Sequence, residues 1–311
     1  MYVKEKLNLD SFNMQFLYCV LIISLGYILK RGNIIKEKDG EGLSRIIFNL
    51  TLPSLIIITF SDITLESSLF LLILIGFLYG ILIGAIGLFL FRKKQRDVKG
   101  MLGMMIPGFN IGLFAYPLVE VIFGKEGITY FGMLDVGNAF IVFGVSYLIG
   151  SFFSKEEVKF DFKTVVSKMS KSIPLMTYIF AVVINLVGLT LPSVVLDVAE
   201  IISAANMPLS LLLLGIYLNF TFDKSYVKLM LQYLCLRYGA GLLLGLLCFF
   251  LLPFDEMFKY TLLLGFLLPT SVSVLPYSVE FEYNQKFVGT LSNLTIVISF
   301  ILLWLLANLF I

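Results

Sequence analysis

The chain has 311 residues, of which 59% are hydrophobic and only 14% charged, where ordinary soluble domains carry about a quarter charged residues. Its net charge of +2 carries no signal for nucleic acid. Histidine is absent, which excludes HExxH zinc proteases, Ser-His-Asp triads and axial-His haem sites, and leaves Asp, Glu or Tyr for any proton chemistry.

Apolar runs of about 20 residues recur from end to end, each long enough to cross ~30 Å of hydrocarbon. They predict an all-α integral membrane protein with spans at 12–29, 43–60, 69–91, 100–122, 129–153, 173–190, 198–219, 228–252, 259–280 and 287–310. No soluble domain is left over. The first run follows a mixed-charge start without a small-residue cleavage site, so it is expected to be retained as a span.

The loops alternate in basic content. Lys30, Arg31, Lys36, Lys38 and Arg45 follow the first span; Arg92, Lys93, Lys94, Arg96 and Lys99 follow the third. Linker 154–172 holds Lys155, Lys159, Lys163, Lys168 and Lys171, whereas loops 61–68 and 191–197 hold no Lys or Arg and carry Asp62, Glu66 and Asp197. Cytoplasmic loops are the basic ones, so both termini are expected outside the cell membrane. Lys4, Lys6, Lys125 and Lys259 fall on the outer side of that scheme and Arg237 within a span.

Linker 154–172 divides the chain into 1–153 and 173–311, five predicted spans each, and an odd number per half makes any similarity between them an inverted repeat. The second span, "IIFNLTLPSLIIITF", and the seventh, "IISAANMPLSLLLLGIYL", each place Asn before Pro, at Asn49/Pro53 and Asn206/Pro208. The fourth and ninth spans contain Pro107 and Pro269, followed by "AYPLVE" and "LPYSVE", which pair Pro117 with Pro276 and Glu120 with Glu280. "GMLDVGN" opens the fifth span and "GTLSN" the tenth.

The stretch "GMLGMMIPGFNIGLFAYPLVEVIFG" is the sharpest feature. Proline inside a helix lacks a donor and clashes with the preceding turn, costing ~3 kcal/mol. Broken backbone is tolerated in a membrane only where protein buries it or it lines a wet cavity. A single broken span reads as a simple kink; a matched pair in opposite halves points to a binding site near the midplane. After each break a half-helix begins with unpaired N–H groups, and Pro117 and Pro276 suit its first turn. Such ends, with the neutral donors Asn110, Thr270 and Ser273, favour an anion, most simply a carboxylate. Gly108 and Gly112 allow close approach, and Tyr116 and Tyr277 flank the paired prolines; the expected substrate set is Asn110, Gly112, Tyr116, Pro117, Thr270, Ser273, Pro276 and Tyr277.

Asp135 and Asn138 in the fifth span, with Glu280 and Asn293, are candidates for coupling to H⁺ or Na⁺, although Asp135 and Glu280 read equally as residues at the membrane edge. Arg237 is expected to pair with an acid or snorkel outward. Asn49 and Asn206 are further polar candidates, and with Asn185 and Asn293 they read equally as helix–helix contacts. "GILIGAIG" and "GAGLLLG" read as packing faces, and the three cysteines, without CxxC spacing, as apolar residues with no disulfide or metal signal.

These residues resemble the auxin efflux carrier family, which includes the plant PIN-FORMED carriers and bacterial malonate or malate permeases. The resemblance runs over essentially the whole chain through "GYILKRGNIIKEKDGEGLSRIIFNLTLPSLII", "NIGLFAYPLVEVIFGKEG", "LDVGNAF", "MPLSLLLLGIYL" and "LLPTSVSVLPYSVEFEY". It implies a fold related to bile-acid sodium symporters: ten spans in two inverted five-span repeats, with the fourth and ninth crossing at their breaks. Spans one, two, six and seven would be a dimerising scaffold, and spans three to five and eight to ten the moving part of an elevator. On this sequence the crossing prolines would be Pro117 and Pro276, with Asn110 before the first. Ser273-Val274 stands where plant members can offer an amide, and their long cytoplasmic loop is absent, so a small organic acid is the implied cargo and no cofactor is implied. A small-acid receptor that does not transport, or a membrane enzyme, are the competing readings.

Overall fold

The computed structural model describes residues 9–61, 66–154, 162–219 and 224–310. Lys4, Lys6, Asp62, Lys155 and Lys159, which enter the orientation argument, lie outside the described residues.

Helices account for nearly all of the described chain. They are α1 (Leu9–Arg31), α2 (Asp39–Ser61), α3 (Ser67–Leu90), α4 (Arg96–Met105), α5 (Ile111–Phe153), α6 (Phe162–Ser170) and α7 (Ile173–Val187), then α8 (Ser193–Tyr217), α9 (Val227–Leu251), α10 (Glu256–Gly265), α11 (Val274–Glu280) and α12 (Gln285–Phe310). Among the described residues seven helices are long and apolar enough to cross a membrane. The ten expected runs are therefore not ten full-length helices. α5 runs from the fourth predicted span into the fifth, folding sharply at Gly124, whose φ of +62° and ψ of −147° only glycine adopts freely. The rest of the fourth run is α4, the ninth is shared between α10 and α11, and α7 has 15 residues.

Local chemistry sets several boundaries. Asp255 caps α10 by accepting the Phe258 N–H at 2.8 Å. Gly188, at φ +71°, closes α7 in the left-handed conformation with its N–H on Asn185 O. Pro53 and Pro117 each follow a wide π-type turn, Ile47–Thr51 and Ile111–Ala115, which makes room for a ring that cannot donate to the preceding turn.

Small residues bring the long helices together, since lipid offers no hydrophobic drive for helix association. α1 and α8 meet through Gly26 and Gly215, where an added Cβ would sit 2.2 Å from Leu212 O and 2.0 Å from Ile23 O respectively. α3 meets the second limb of α5 through Gly76 and Gly137. The glycines of "GILIGAIG" lie against Pro107, Ile106 and Ile141, and Gly241 and Gly245 of "GAGLLLG" lie against Phe266 and Leu263, so both faces pack on or beside the broken segments. Gly215→Val is expected to force α1 and α8 apart. It should lower the yield of monodisperse protein in detergent and the midpoint of thermal unfolding, whereas the same change at Gly239, which has no neighbour within 4 Å, should leave both unchanged.

Candidate functional site at the crossing of two broken segments

α4 ends at Met105 and the chain resumes helix at Ile111; α10 ends at Gly265 and helix resumes at Val274. Pro107 and Pro269 lie in the two gaps, and the gaps run antiparallel past one another. Phe109 and Thr270 form a bridge pair; Asn110 N–H donates to Pro269 O at 2.9 Å, and Ser271 N–H to Gly108 O at 3.4 Å. Every residue of 101–111 and 261–271 is buried.

This position corrects the expected one. The chains cross at Phe109 and Thr270, not at Pro117 and Pro276. Pro117 lies in α5 beyond the π-type turn, and Pro276 is an exposed residue of α11. Pro117 is accommodated by that wide turn and Pro276 by its place in the first turn of α11, but Pro107 and Pro269 occupy the breaks.

Buried backbone outside helices must find partners, and three neighbouring helices supply them. From α5, Asn138 grips Phe109 on both sides: Phe109 N–H donates to Oδ1 at 2.8 Å and Nδ2 donates to Phe109 O at 3.0 Å. From α12, Thr295 Oγ1 accepts the Thr270 N–H at 3.1 Å. From α9, Tyr233 donates to Met105 O at 2.9 Å, so the Thr270 hydroxyl, 2.5 Å away, donates to Tyr233.

Arg237 on α9 reaches furthest. Its Nη1 donates to Ile106 O at 2.6 Å and its Nη2 to Gly108 O at 3.0 Å and Leu268 O at 2.9 Å, with Met105 O at 3.5 Å from Nη1. Its guanidinium lies 4.9 Å from the centroid of Phe109, and only 1% of the residue is exposed. Arg237 neither pairs with a described acid nor snorkels; it serves the carbonyls that both breaks set free.

Asn110 closes the gap on the other side. Its Oδ1 caps α5 by accepting the Leu113 N–H at 3.2 Å, while its buried Nδ2 has no partner among the described residues. Gly112 follows, where an added Cβ would meet Phe48 at 3.0 Å. α8 packs against the turn that Asn110 caps. On α8, Asn206 accepts from Thr51 at 3.0 Å, but its Nδ2 and the Ser210 hydroxyl are also buried without partners among the described residues. An orphaned buried donor costs about 1–3 kcal/mol and calls for an explanation. Three lie on two elements that pack together.

Asp135 is linked to the crossing through one amide. Its Oδ1 accepts from Asn138 Nδ2 at 3.1 Å and its Oδ2 from the Tyr116 hydroxyl at 2.9 Å; that hydroxyl in turn contacts Tyr178 on α7. The other expected residues lie elsewhere. Glu280 is exposed and accepts from Tyr147 at 2.6 Å. Tyr277 packs on Tyr147 and Phe281, and Ser273 lies just before α11. Asn293 donates to Tyr217 O at 3.2 Å and Asn219 O at 2.7 Å, tying α12 to the end of α8. Asn49 is exposed and donates to Arg45 O of its own helix. Among the described residues no three His, Cys, Asp or Glu side chains group to hold a metal ion.

The family model described as membrane transport protein, that of the auxin efflux carriers, matches residues 11–308. The chain belongs to the auxin efflux carrier family. An uncharacterized transporter from Methanothermobacter thermautotrophicus is 28% identical over 212 residues, covering 67% of this chain and 68% of that protein. An uncharacterized transporter from Methanocaldococcus jannaschii is 27% identical over 213 residues, covering 65% and 68%. Membership makes this carrier-family chain a multi-pass membrane transporter in lipid, and bears on what the crossing is for.

Proposed function

We propose that the protein is a secondary carrier of a small organic anion, a carboxylate such as malonate, malate or an auxin-like weak acid. The carboxylate binds beside the crossing, where the Asn110 Nδ2 donates to it. The observation that carries this reading is that amide: 3% exposed, partnerless, and placed at the start of a long helix whose positive end favours an anion. The partnerless Asn206 and Ser210 on the neighbouring α8 supply the second wall.

Movement follows an elevator scheme in which α3, α4, α5 and α9–α12 travel as a block against α1, α2, α7 and α8. In support, the partners gripping the crossing backbone come from α5, α9 and α12, while α1 packs on α8 and α2 on α7 and α8. The stationary helices are also the surface through which two copies would pair. The carrier would sit in the cell membrane with both chain ends outside, following the basic loops.

The test is counterflow in liposomes preloaded with malonate, malate or indole-3-acetate. Wild-type protein should exchange at least one of them. Asn110→Ala should reduce exchange at least 10-fold while costing only about 1 kcal/mol of stability as a lost helix cap. Exchange at the wild-type rate in that variant, or binding without exchange in the wild type, would sink the reading.

A further inference from the structure

A buried charge is retained when something compensates it, and a guanidinium usually finds a carboxylate. Arg237 has found only dipoles. Its two terminal nitrogens hold carbonyls just past the end of α4, in the gap between α4 and α5, and in the gap between α10 and α11. Its Nε–H is buried without a partner among the described residues. The described carboxylate bonded into the crossing is Asp135, and it reaches Phe109 only through Asn138. No described acid is ion-paired with Arg237.

The carbonyl end of a helix carries the negative end of its dipole, about half a charge in all. One guanidinium across the end of α4 and the free carbonyls of both gaps offsets what would otherwise repel an anion at the crossing. The positive start of α5 is then left unopposed beside Asn110. The aromatic layer of Phe109, Tyr79 and Phe266 excludes water on Arg237's side, with Tyr79 and Phe266 stacked at 3.9 Å, so the charge is weakly screened.

We infer that Arg237 is the residue that sets the sign of the cargo. It does so as a positioning residue, holding both breaks and supplying the positive field, without needing to touch the cargo. The inference rests on the crossing being the cargo site. It deepens that reading by assigning charge selectivity to a side chain on α9, which belongs to neither broken segment.

Uptake of malonate, malate and indole-3-acetate is compared with uptake of their neutral amides in liposomes containing wild type, Arg237→Lys and Arg237→Gln. Folding is checked by gel filtration and thermal unfolding in detergent. Wild type should take up an acid and discriminate against its amide. Arg237→Lys, which keeps the charge with a poorer fork, should raise KM several-fold yet keep that preference. Arg237→Gln should raise the acid's KM at least 10-fold and bring acid and amide close to parity. Wild-type KM for the acid in Arg237→Gln overturns the inference and leaves the carrier reading standing. A folded Arg237→Lys that no longer prefers acid over amide also overturns it, and decides the matter if Arg237→Gln does not fold. A wild type that takes up none of the acids sinks the carrier reading and this inference with it.

Discussion

Asn138→Leu is expected to abolish uptake and to destabilise the protein by about 2–6 kcal/mol, because it orphans two buried backbone groups at about 1–3 kcal/mol each. Leucine keeps the branching and heavy-atom count of asparagine and is not smaller, so the loss would not come from a cavity. Phe109 N–H and C=O both depend on the Asn138 amide, at 2.8 and 3.0 Å, and the described structure offers them no other side-chain partner. Phe109 is also the residue paired with Thr270, so a loosened Phe109 loosens both broken segments together. Thermal unfolding in detergent and uptake by the same preparation check the two halves of the expectation. An unchanged unfolding midpoint with wild-type uptake would mean that the crossing does not depend on this grip. Asn138→Asp makes a useful companion: it keeps an acceptor for the Phe109 N–H but loses the donor to Phe109 O, and it sets a second carboxylate beside Asp135.

The general plan of this site was legible because proline and glycine have few uses inside a membrane helix. Pro107-Gly108 and Pro269 mark where helix must stop, and the requirement that freed backbone be buried by protein brings the two stops together. The exact crossing was not legible from the second pair of prolines. Proline is tolerated both at a break and in the first turn after one, so "AYP" and "LPY" align well without being the point of contact. Glycine patterning served better. "GILIGAIG" lies on the crossing because only small residues let α3 approach Pro107 and Ile106.

Arg237 was misread for an instructive reason. Hydropathy reasoning offers an intramembrane arginine an acid or an escape to the interface, yet the two broken spans had already created free carbonyls needing donors. The missing step was to count those carbonyls as partners. Asn293 shows the opposite error. "GMLDVGN" and "GTLSN" match as polar clusters, which put Asn293 beside Asn138 among the coupling candidates. The residue with the matching duty is Thr295, two positions on, which accepts the Thr270 N–H as Asn138 accepts that of Phe109. A single hydroxyl can replace one half of an amide's grip, and sequence alignment cannot see which residue does the holding.

Asp135→Asn is expected to leave the fold intact and to remove the dependence of uptake on the driving ion. Asparagine keeps the size of Asp135. Its carbonyl can accept from Tyr116 as Oδ2 does at 2.9 Å; the bond from Asn138 Nδ2 is given up, but Asn138 keeps its own hold on Phe109, and the ionisable oxygen is lost. What changes is the charge in the middle of a chain that runs from Tyr178 on α7, through Tyr116 and Asp135, to Asn138 and the backbone of Phe109. With histidine absent from the chain, a proton carried across with the cargo needs a carboxylate or a tyrosine, and this is the carboxylate bonded into the crossing. Sodium would use the same oxygens. Uptake is measured with an imposed pH gradient, an imposed Na⁺ gradient and neither. Wild type should respond to one gradient by several-fold and Asp135→Asn to neither, at equal protein in the membrane. If the variant keeps the full response, the coupling group is not Asp135. Tyr116→Phe then separates a role for the carboxylate from one for the tyrosine pair: it removes the donor to Asp135 and the contact with Tyr178, leaves the charge in place, and should slow uptake without erasing the gradient response.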